Sequence, residues 1–266
     1  MLFIPDIAHY RSTGHGAPGV SNTAGAALWT LDYTLFAASI RISQVFFHEG
    51  IGFKYNLIQP ATLTRSIIDG NPLSEPIPPH VQPQYYGTIT AAIVRRYDVE
   101  NILWFRCRYR SGSYWNLWPV HHHRDDHQRP LHFRVRCLLS RISSPAHIGR
   151  PLRFTVYEGN TLKRAVLINS KAWLASDEGA RDRTVTNVAF SGVSGMMSVK
   201  RLAIGHADDT AGLTWGGVSY ETASGLPDGK VGLPSVSVGD GVDIKGLFVM
   251  HFVIEMMGLW FEVNRN

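Results

Sequence analysis

The sequence of 266 residues contains only two cysteines, Cys107 and Cys137. So few thiols exclude a disulfide framework and a zinc site with four thiolate ligands. Neither cysteine has the surroundings of a reactive thiol. The G-x-S-x-G motif of a serine nucleophile and the P-loop lysine of a phosphate-binding loop are absent as well. We therefore expect no cysteine or serine nucleophile and no bound cofactor.

Long apolar runs are also missing. No stretch reaches the ~20 apolar residues of a membrane span, and the nearest, residues 246–261, contains His251 and Glu255. That stretch predicts a terminal strand followed by an apolar tail. Pro5 and Asp6 interrupt the apolar start of the chain, which predicts that it has no signal peptide. We expect no membrane partner.

Lysine is absent from residues 95–153, although this segment holds 12 arginines and four acidic residues, a formal net charge of +8. The other 207 residues sum to −3, so the +5 of the whole chain belongs to this segment alone. Its run HHHRDDH (121–127) has metal-ligand residue types, but Arg124 and Arg129 oppose a cation. Its run WFRCRYRSGSYWNLW (104–118) has the residue types of a single-strand nucleic-acid surface, without an accompanying recognition fold. We expect neither a metal site nor a nucleic-acid partner.

The segments before and after the basic insert predict different secondary structure. Ser21 or Asn22 offers an N-cap to a helix with apolar positions from Ala24 to Ala38. Residues 42–48 predict a buried strand, and residues 84–93 a second helix. From about Leu152, seven short runs rich in β-branched residues alternate with turn signals, which is typical of a sandwich or barrel.

A group of polar residues lies at the end of the predicted strand. His48, Glu49 and Gly50 follow it directly, and the aromatic run Phe53-Lys54-Tyr55 comes next. Since active sites of α/β barrels lie at the carboxyl ends of the strands, this point predicts a binding loop. The alternative is a strand-terminating turn with exposed polar groups.

Two groups of strings resemble a known family. HGAPGVSNTAGAALWTLDYTLFAASI, QVFFHEGIGFKYNLIQP and QPQYYGTITAA are similar to the last strand–helix portion of the barrel in glycoside hydrolase family 79 β-glucuronidases, which are heparanase-like. RAVLINSKAW, SVKRLAIGHADDT and TWGGVSYE resemble the C-terminal β-sandwich domain of the same enzymes. The resemblance implies an α+β chain in which a partial TIM barrel, its last βα units, precedes an antiparallel β-sandwich. We expect a barrel remnant in 1–94, a basic insert in 95–152 and the sandwich in 153–266.

Only some of the family's site residues have counterparts in this sequence. Its substrate-binding loops match Tyr10, Gly14 and Gly16 after one strand, and His48, Gly50 and Tyr55 after the next. A tyrosine hydroxyl and backbone N–H groups can bind a uronate without a buried counter-charge. Family members use two carboxylates with net retention, but the barrel half with the acid/base Glu has no counterpart in this sequence. The stretch matching the nucleophile, residues 5–10, offers only Asp6.

The resemblance therefore predicts a C-terminal fragment of a β-glucuronidase-like retaining glycoside hydrolase that is inactive alone because it has no catalytic residues. The parent family binds glucuronate-containing glycans and is mostly secreted. The alternative is a non-catalytic carbohydrate-binding or interaction module built on the sandwich. The insert matches neither domain and predicts a disordered or mis-translated segment. The sequence leaves the oligomeric state open.

Overall fold

The computed structural model describes twelve parts of the chain: residues 2–3, 16–40, 42, 44–95, 106–108, 114–116, 133–137, 152–158, 161–188, 196–237, 242–245 and 248–255. All statements below concern these residues. No helix among them is long and apolar enough to cross a membrane.

The N-terminal part alternates strands and helices. Strand β1 is Leu2–Phe3, helix α1 is Ala24–Ser39, strand β2 is Val45–Phe46, and helix α2 is Gln84–Arg95. β1 and β2 pair in parallel, Leu2 with Val45 and Phe3 with Phe46. Two parallel strands joined through a helix form a βαβ unit, the repeating unit of α/β folds.

The N-cap of helix α1 lies one or two residues later than predicted. Thr23 occupies the N-cap position and makes no side-chain cap, because its hydroxyl donates to the carbonyl oxygen of Val20 at 2.9 Å. The first two helical amides instead donate to carbonyl oxygens of a distant loop, Ala24 to Asp209 at 2.8 Å and Gly25 to Ala207 at 2.9 Å. The prediction of Ser21 or Asn22 as N-cap is wrong because tertiary partners satisfy these helical N–H groups.

Between β2 and α2 the chain forms two small antiparallel pairs. Strand β3 (Ile58–Gln59) pairs with β6 (His80–Val81), and β4 (Leu63–Arg65) pairs with β5 (Pro72–Ile77). The β4–β5 hairpin turns at Gly70, whose φ of 74° suits glycine. These pairs bring the two ends of the long connection together.

The C-terminal part is dominated by one antiparallel sheet of seven strands. Its strands are β9 Phe133–Cys137, β10 Leu152–Glu158, β11 Thr161–Asn169, β13 Met196–Ala203, β14 Thr214–Trp215, β15 Ser235–Ser237 and β17 Phe248–Glu255. Their order in the sheet is β14-β13-β17-β11-β10-β9, with β15 also paired to β13. A separate pair joins β12 (Val185–Val188) to β16 (Val242–Lys245), and another joins β7 (Arg106–Arg108) to β8 (Tyr114–Asn116). Mixed helices and antiparallel strands agree with the predicted α+β class.

The basic insert contributes backbone to the main sheet. Strand β9 lies in the Arg-rich segment, and it pairs with β10 over five residues from Phe154 to Glu158. Most of residues 95–152 lies outside the described residues, so the nature of the insert stays a prediction.

The helices and the main sheet share one apolar core. Leu31 and Leu35 of α1 and Tyr86 of α2 pack with sheet residues such as Ile168 and Leu202, and all of them are buried. Tyr86 also links the two parts by hydrogen bonds, since its hydroxyl accepts the N–H of Tyr220 at 2.9 Å. Burial of this interface contributes to holding the site loops described below against the C-terminal part.

Candidate functional site

The loop that follows strand β2 is closed by a buried asparagine. The Asn56 side chain is fully buried, its Oδ1 accepts the N–H of Gly50 at 3.0 Å, and its Nδ2 donates to the Gly50 carbonyl oxygen. An amide that satisfies both polar groups of one residue fixes the backbone there. The Asn56 side chain therefore holds the His48–Tyr55 loop in one conformation.

The Glu49 side chain also binds the backbone of this loop. Its Oε1 accepts the N–H of Leu57 at 2.9 Å, so the side chain points at the loop backbone. Burial of the carboxyl group raises the pKa of Glu49 to about 8, which outweighs the lowering effect of the N–H groups of Leu57 and Ile58. Although the sequence predicted that Glu49 belongs to a binding loop, its side chain contacts the loop backbone, and it does not line the cavity described below.

The aromatic side chains of the loop form a cluster around one polar pair. His48 Nδ1 lies 2.8 Å from the Tyr55 hydroxyl. The Phe53 ring lies against both, with ring centroids 5.6 Å from His48 and 5.3 Å from Tyr55. His48 is exposed, whereas Tyr55 is buried. The pair thus joins a solvent-facing imidazole to a phenol that the loop holds in place.

The loop before helix α1 contacts this pair through Gly16. Gly16 has φ 81°, and a Cβ atom built on it would lie 2.9 Å from Tyr55 Cδ1 and 3.2 Å from Lys54 Cβ. Only a residue without a side chain permits so close an approach. Gly50 has a similar role, since its Cβ would fall within 2.8 Å of three atoms of the Phe53 ring.

The structure thus brings together four of the six predicted site residues. Gly16, His48, Gly50 and Tyr55 lie in one contiguous region, although they come from loops separated by helix α1. Tyr10 and Gly14 lie outside the described residues. So do Asp6 and the histidine run 121–127. Among the described side chains, no group of three His, Cys, Asp or Glu residues is placed to hold a metal ion.

A cavity of about 410 Å³ lies beside His48 and Tyr55. Its walls come from helix α1 (Trp29), the residue after β2 (Phe47), the start of α2 (Gln84) and two loops of the C-terminal part (Leu174 and Ala207). The sequence did not predict these residues because they come from five separate segments. The string Gln82-Pro83-Gln84 could have indicated Gln84 as a site residue. Its proline predicts the start of a helix there, and Gln84 lies at that start, beside the cavity.

The C-terminal part is similar to a known family domain. Residues 153–246 match the glycosyl hydrolase family 79 C-terminal beta domain. That range begins at the second residue of strand β10 and extends through strand β16.

Two curated relatives resemble most of the chain. A β-glucuronidase of Neurospora crassa is 27% identical over 271 residues, which covers 90% of this chain and 41% of that protein. A β-glucuronidase of Aspergillus niger is 26% identical over 242 residues, which covers 86% of this chain and 35% of that protein. The chain therefore spans about two fifths of the length of these relatives.

A solved structure shows the same fold over most of the chain. The 4-O-α-L-rhamnosyl-β-D-glucuronidase of Fusarium oxysporum 12S, in complex with Rha-GlcA, superposes with a TM-score of 0.57 at 18% identity. The superposition covers 90% of this chain and 40% of the enzyme. The predicted resemblance is confirmed: residues 153–246 match the C-terminal beta domain of glycosyl hydrolase family 79, and most of the chain is similar to β-glucuronidases.

Proposed function

We propose that this chain is a C-terminal portion of a β-glucuronidase-like retaining glycoside hydrolase, and that its His48–Tyr55 loop is part of the wall that binds a glucuronate. The proposal divides the chain into the last βα units of a barrel and a β-sandwich. The parallel pairing of β1 with β2 and the order β1-α1-β2-α2 support the barrel assignment. The family match and the glucuronidase relatives support the activity of the parent enzyme.

The observation on which the proposal depends most is the contact between two loops that follow successive parallel strands. Gly16 from the first loop lies against the ring of Tyr55 from the second, and the Tyr55 hydroxyl lies 2.8 Å from His48 Nδ1. In the tautomer with hydrogen on Nε2, the Tyr55 hydroxyl donates to His48 Nδ1 and orients the imidazole. The exposed His48 ring can then donate its Nε2–H to a ligand carboxylate, a charge-assisted bond.

We also propose that these 266 residues do not hydrolyse glucuronides by themselves. A retaining glycosidase needs two carboxyl groups about 5–5.5 Å apart across the scissile bond. Glu49, the carboxyl group next to the proposed wall, is engaged by the backbone of Leu57 and is largely protonated at neutral pH with its pKa of about 8. It is therefore not a candidate nucleophile.

Hydrolysis of 4-nitrophenyl β-D-glucuronide by the purified chain tests this second proposal. We expect nitrophenol release at the rate of a blank without protein, with the Glu49→Gln variant as a matched sample. Release by the purified chain above the blank would show that the chain is an active glycosidase.

Titration with D-glucuronic acid tests the binding wall. We expect Tyr55→Phe to weaken binding ~10-fold or more, because it removes the hydroxyl that orients His48 toward the carboxylate, and a hydrogen bond to a charged group contributes about 1.5–3 kcal/mol. Tyr33→Phe is the control, since Tyr33 is half-buried in α1 beside Trp29 and does not line the cavity. Equal affinities for wild type and Tyr55→Phe would remove Tyr55 from the wall.

A further inference from the structure

The start of helix α1 is held by a turn of the C-terminal part, residues 205–209, here called the Asp209 turn. The N–H of Ala24 donates to the carbonyl oxygen of Asp209 at 2.8 Å. The N–H of Gly25 donates to the carbonyl oxygen of Ala207 at 2.9 Å. The first amides of a helix have no partners within it, so these two carbonyls cap the helix from outside. The position of the helix start therefore depends on the conformation of the turn.

The Asp209 side chain fixes this conformation. Its Oδ2 accepts the N–H of His206 at 2.6 Å, and its Oδ1 lies 3.4 Å from His206 Nδ1. A Cβ atom at Gly205 would collide with Asp209 Oδ2, so the glycine leaves room for the carboxylate. A charged acceptor on a backbone N–H makes a strong hydrogen bond. One side chain therefore ties the two ends of the turn together.

A neighbouring loop of the C-terminal part packs against the Asp209 turn. The N–H of Ala207 donates to the carbonyl oxygen of Trp173 at 2.8 Å. The Trp173 ring stacks on the His206 ring with centroids 4.7 Å apart, and the Arg183 guanidinium carbon lies 5.1 Å from the Trp173 centroid. These contacts attach the turn to the C-terminal part, so helix α1 is capped by a supported partner.

The helix start also belongs to the cavity beside the proposed wall. Ser21 and Gly25 line this cavity together with Tyr55. A Cβ atom on Gly16 would lie 3.2 Å from Ser21 Cβ and 2.9 Å from Tyr55 Cδ1, so the loop before the helix contacts both sides. Asp209 does not line the cavity. Any effect of its side chain on a ligand must therefore pass through the turn and the helix start.

We propose that Asp209 is a positioning residue for glucuronate binding: its carboxylate shapes the turn that caps α1, and the cap places the Gly16 loop against Tyr55. The inference rests on the proposed function, because the glucuronate wall is what the turn positions. It gives the C-terminal part a role in ligand affinity in addition to its share of the core. Direct electrostatics predict the opposite effect, since an acidic side chain repels a carboxylate ligand.

Three variants of the whole chain separate positioning from stability. Asp209→Ala removes the acceptor, whereas Asp209→Asn removes the charge and keeps an oxygen that can accept the His206 N–H. Glu221→Ala is the matched control. Glu221 also accepts backbone N–H groups in the C-terminal part, those of Gly212 at 2.7 Å and Leu213 at 2.9 Å, and it does not line the cavity. This control removes similar support from a segment other than the turn that caps α1.

D-Glucuronic acid is titrated into wild type and each variant, followed by NMR, at a temperature where circular dichroism shows all four proteins folded. We expect Asp209→Ala to weaken binding ~5-fold or more, because the wall is then correctly placed in only a fraction of the molecules. Asp209→Asn and Glu221→Ala should stay within twofold of wild type. Amide hydrogen exchange at Ala24 and Gly25 should become faster in Asp209→Ala and stay unchanged in Glu221→Ala.

Four results would overturn the assignment. They are an affinity of Asp209→Ala equal to wild type, a tighter affinity of Asp209→Ala, an equal loss in Glu221→Ala, or a failure of Asp209→Asn to restore binding. If Tyr55→Phe weakens binding in any of these cases, the proposed function stands and only the Asp209 assignment fails. If wild type does not bind glucuronic acid, the glucuronate wall is wrong and the positioning role of Asp209 fails with it.

Discussion

At the scale of single residues, Glu49 makes the stability of the chain depend on pH. Burial raises its pKa to about 8, above the value of about 4.3 for an unfolded chain. A raised acid pKa stabilises the fold fully below the unfolded value, and this contribution is lost as the pH rises through about 8. Glu49→Gln, which stays neutral, should match wild type at pH 4, below the unfolded pKa, and exceed its free energy of unfolding by roughly 2–4 kcal/mol at pH 8.5.

Urea denaturation of both proteins at each pH measures this difference. Asp32 in α1, whose pKa burial raises to about 6, shifts stability in the same direction, but it is present in both proteins and cancels. Glu75→Gln is the control, because Glu75 is exposed on strand β5. If Glu49→Gln were less stable than wild type at pH 8.5, the buried neutral carboxyl would be the wrong description.

The sequence predicted some residues of the candidate site and missed others. The resemblance to the family's loops predicted that Gly16, His48, Gly50 and Tyr55 belong together, and in the structure these four residues do lie together. Gln84 escaped detection, because a glutamine at a helix start is ordinary in sequence and becomes notable only when its acceptor is buried without a donor among the described residues. Burial and partner geometry are tertiary properties that a pattern of residue types does not encode.

At the scale of elements, the crossing of α1 and α2 depends on one glycine. A Cβ on Gly87 would lie 2.3 Å from the carbonyl oxygen of Ala27 and 3.1 Å from the amide nitrogen of Leu31. Both obstacles are backbone atoms, so the helices would have to separate. Gly87→Ala should lower the free energy of unfolding by roughly 2–4 kcal/mol, despite the better helix propensity of alanine.

Gly25→Ala is the matched control in the other helix, and chemical denaturation followed by circular dichroism compares the two variants. Its Cβ would lie 3.3 Å from the carbonyl oxygen of Ala207, a tight contact that a small shift relieves. We expect Gly25→Ala to remain within about 1 kcal/mol of wild type. A Gly87→Ala variant as stable as Gly25→Ala would show that the helices do not cross at this position.

Element boundaries followed the apolar periodicity closely where the helices are long. The second helix, expected over 84–93, extends over Gln84–Arg95, and the first was misjudged only at its cap. The expected strand over 42–48 narrows to Val45–Phe46. Periodicity reports which face is buried, but hydrogen-bond pairing with β1 decides where this strand begins and ends.

At the scale of the whole molecule, the helical and sheet parts share one buried apolar core. Leu31 in α1 and Leu202 in β13 are both fully buried in this core, beside Trp215. Elements that bury the same apolar surface gain their stability together. The sequence predicted a barrel remnant in 1–94 and a sandwich in 153–266. It did not predict which faces of these two parts meet, because local strings report only local pattern.

Thermal or urea unfolding of the whole chain should therefore be a single transition. We expect the same midpoint from far-ultraviolet circular dichroism, which follows the helices and strands, and from tryptophan fluorescence, to which buried Trp215 contributes. Leu31→Ala and Leu202→Ala should each lower the free energy of that one transition by about 2–5 kcal/mol. Leu233→Ala, at a residue 52% exposed, should stay within about 0.5 kcal/mol of wild type. Two transitions, with Leu31→Ala moving only one of them, would show that the helices and the sheet fold independently despite their common core.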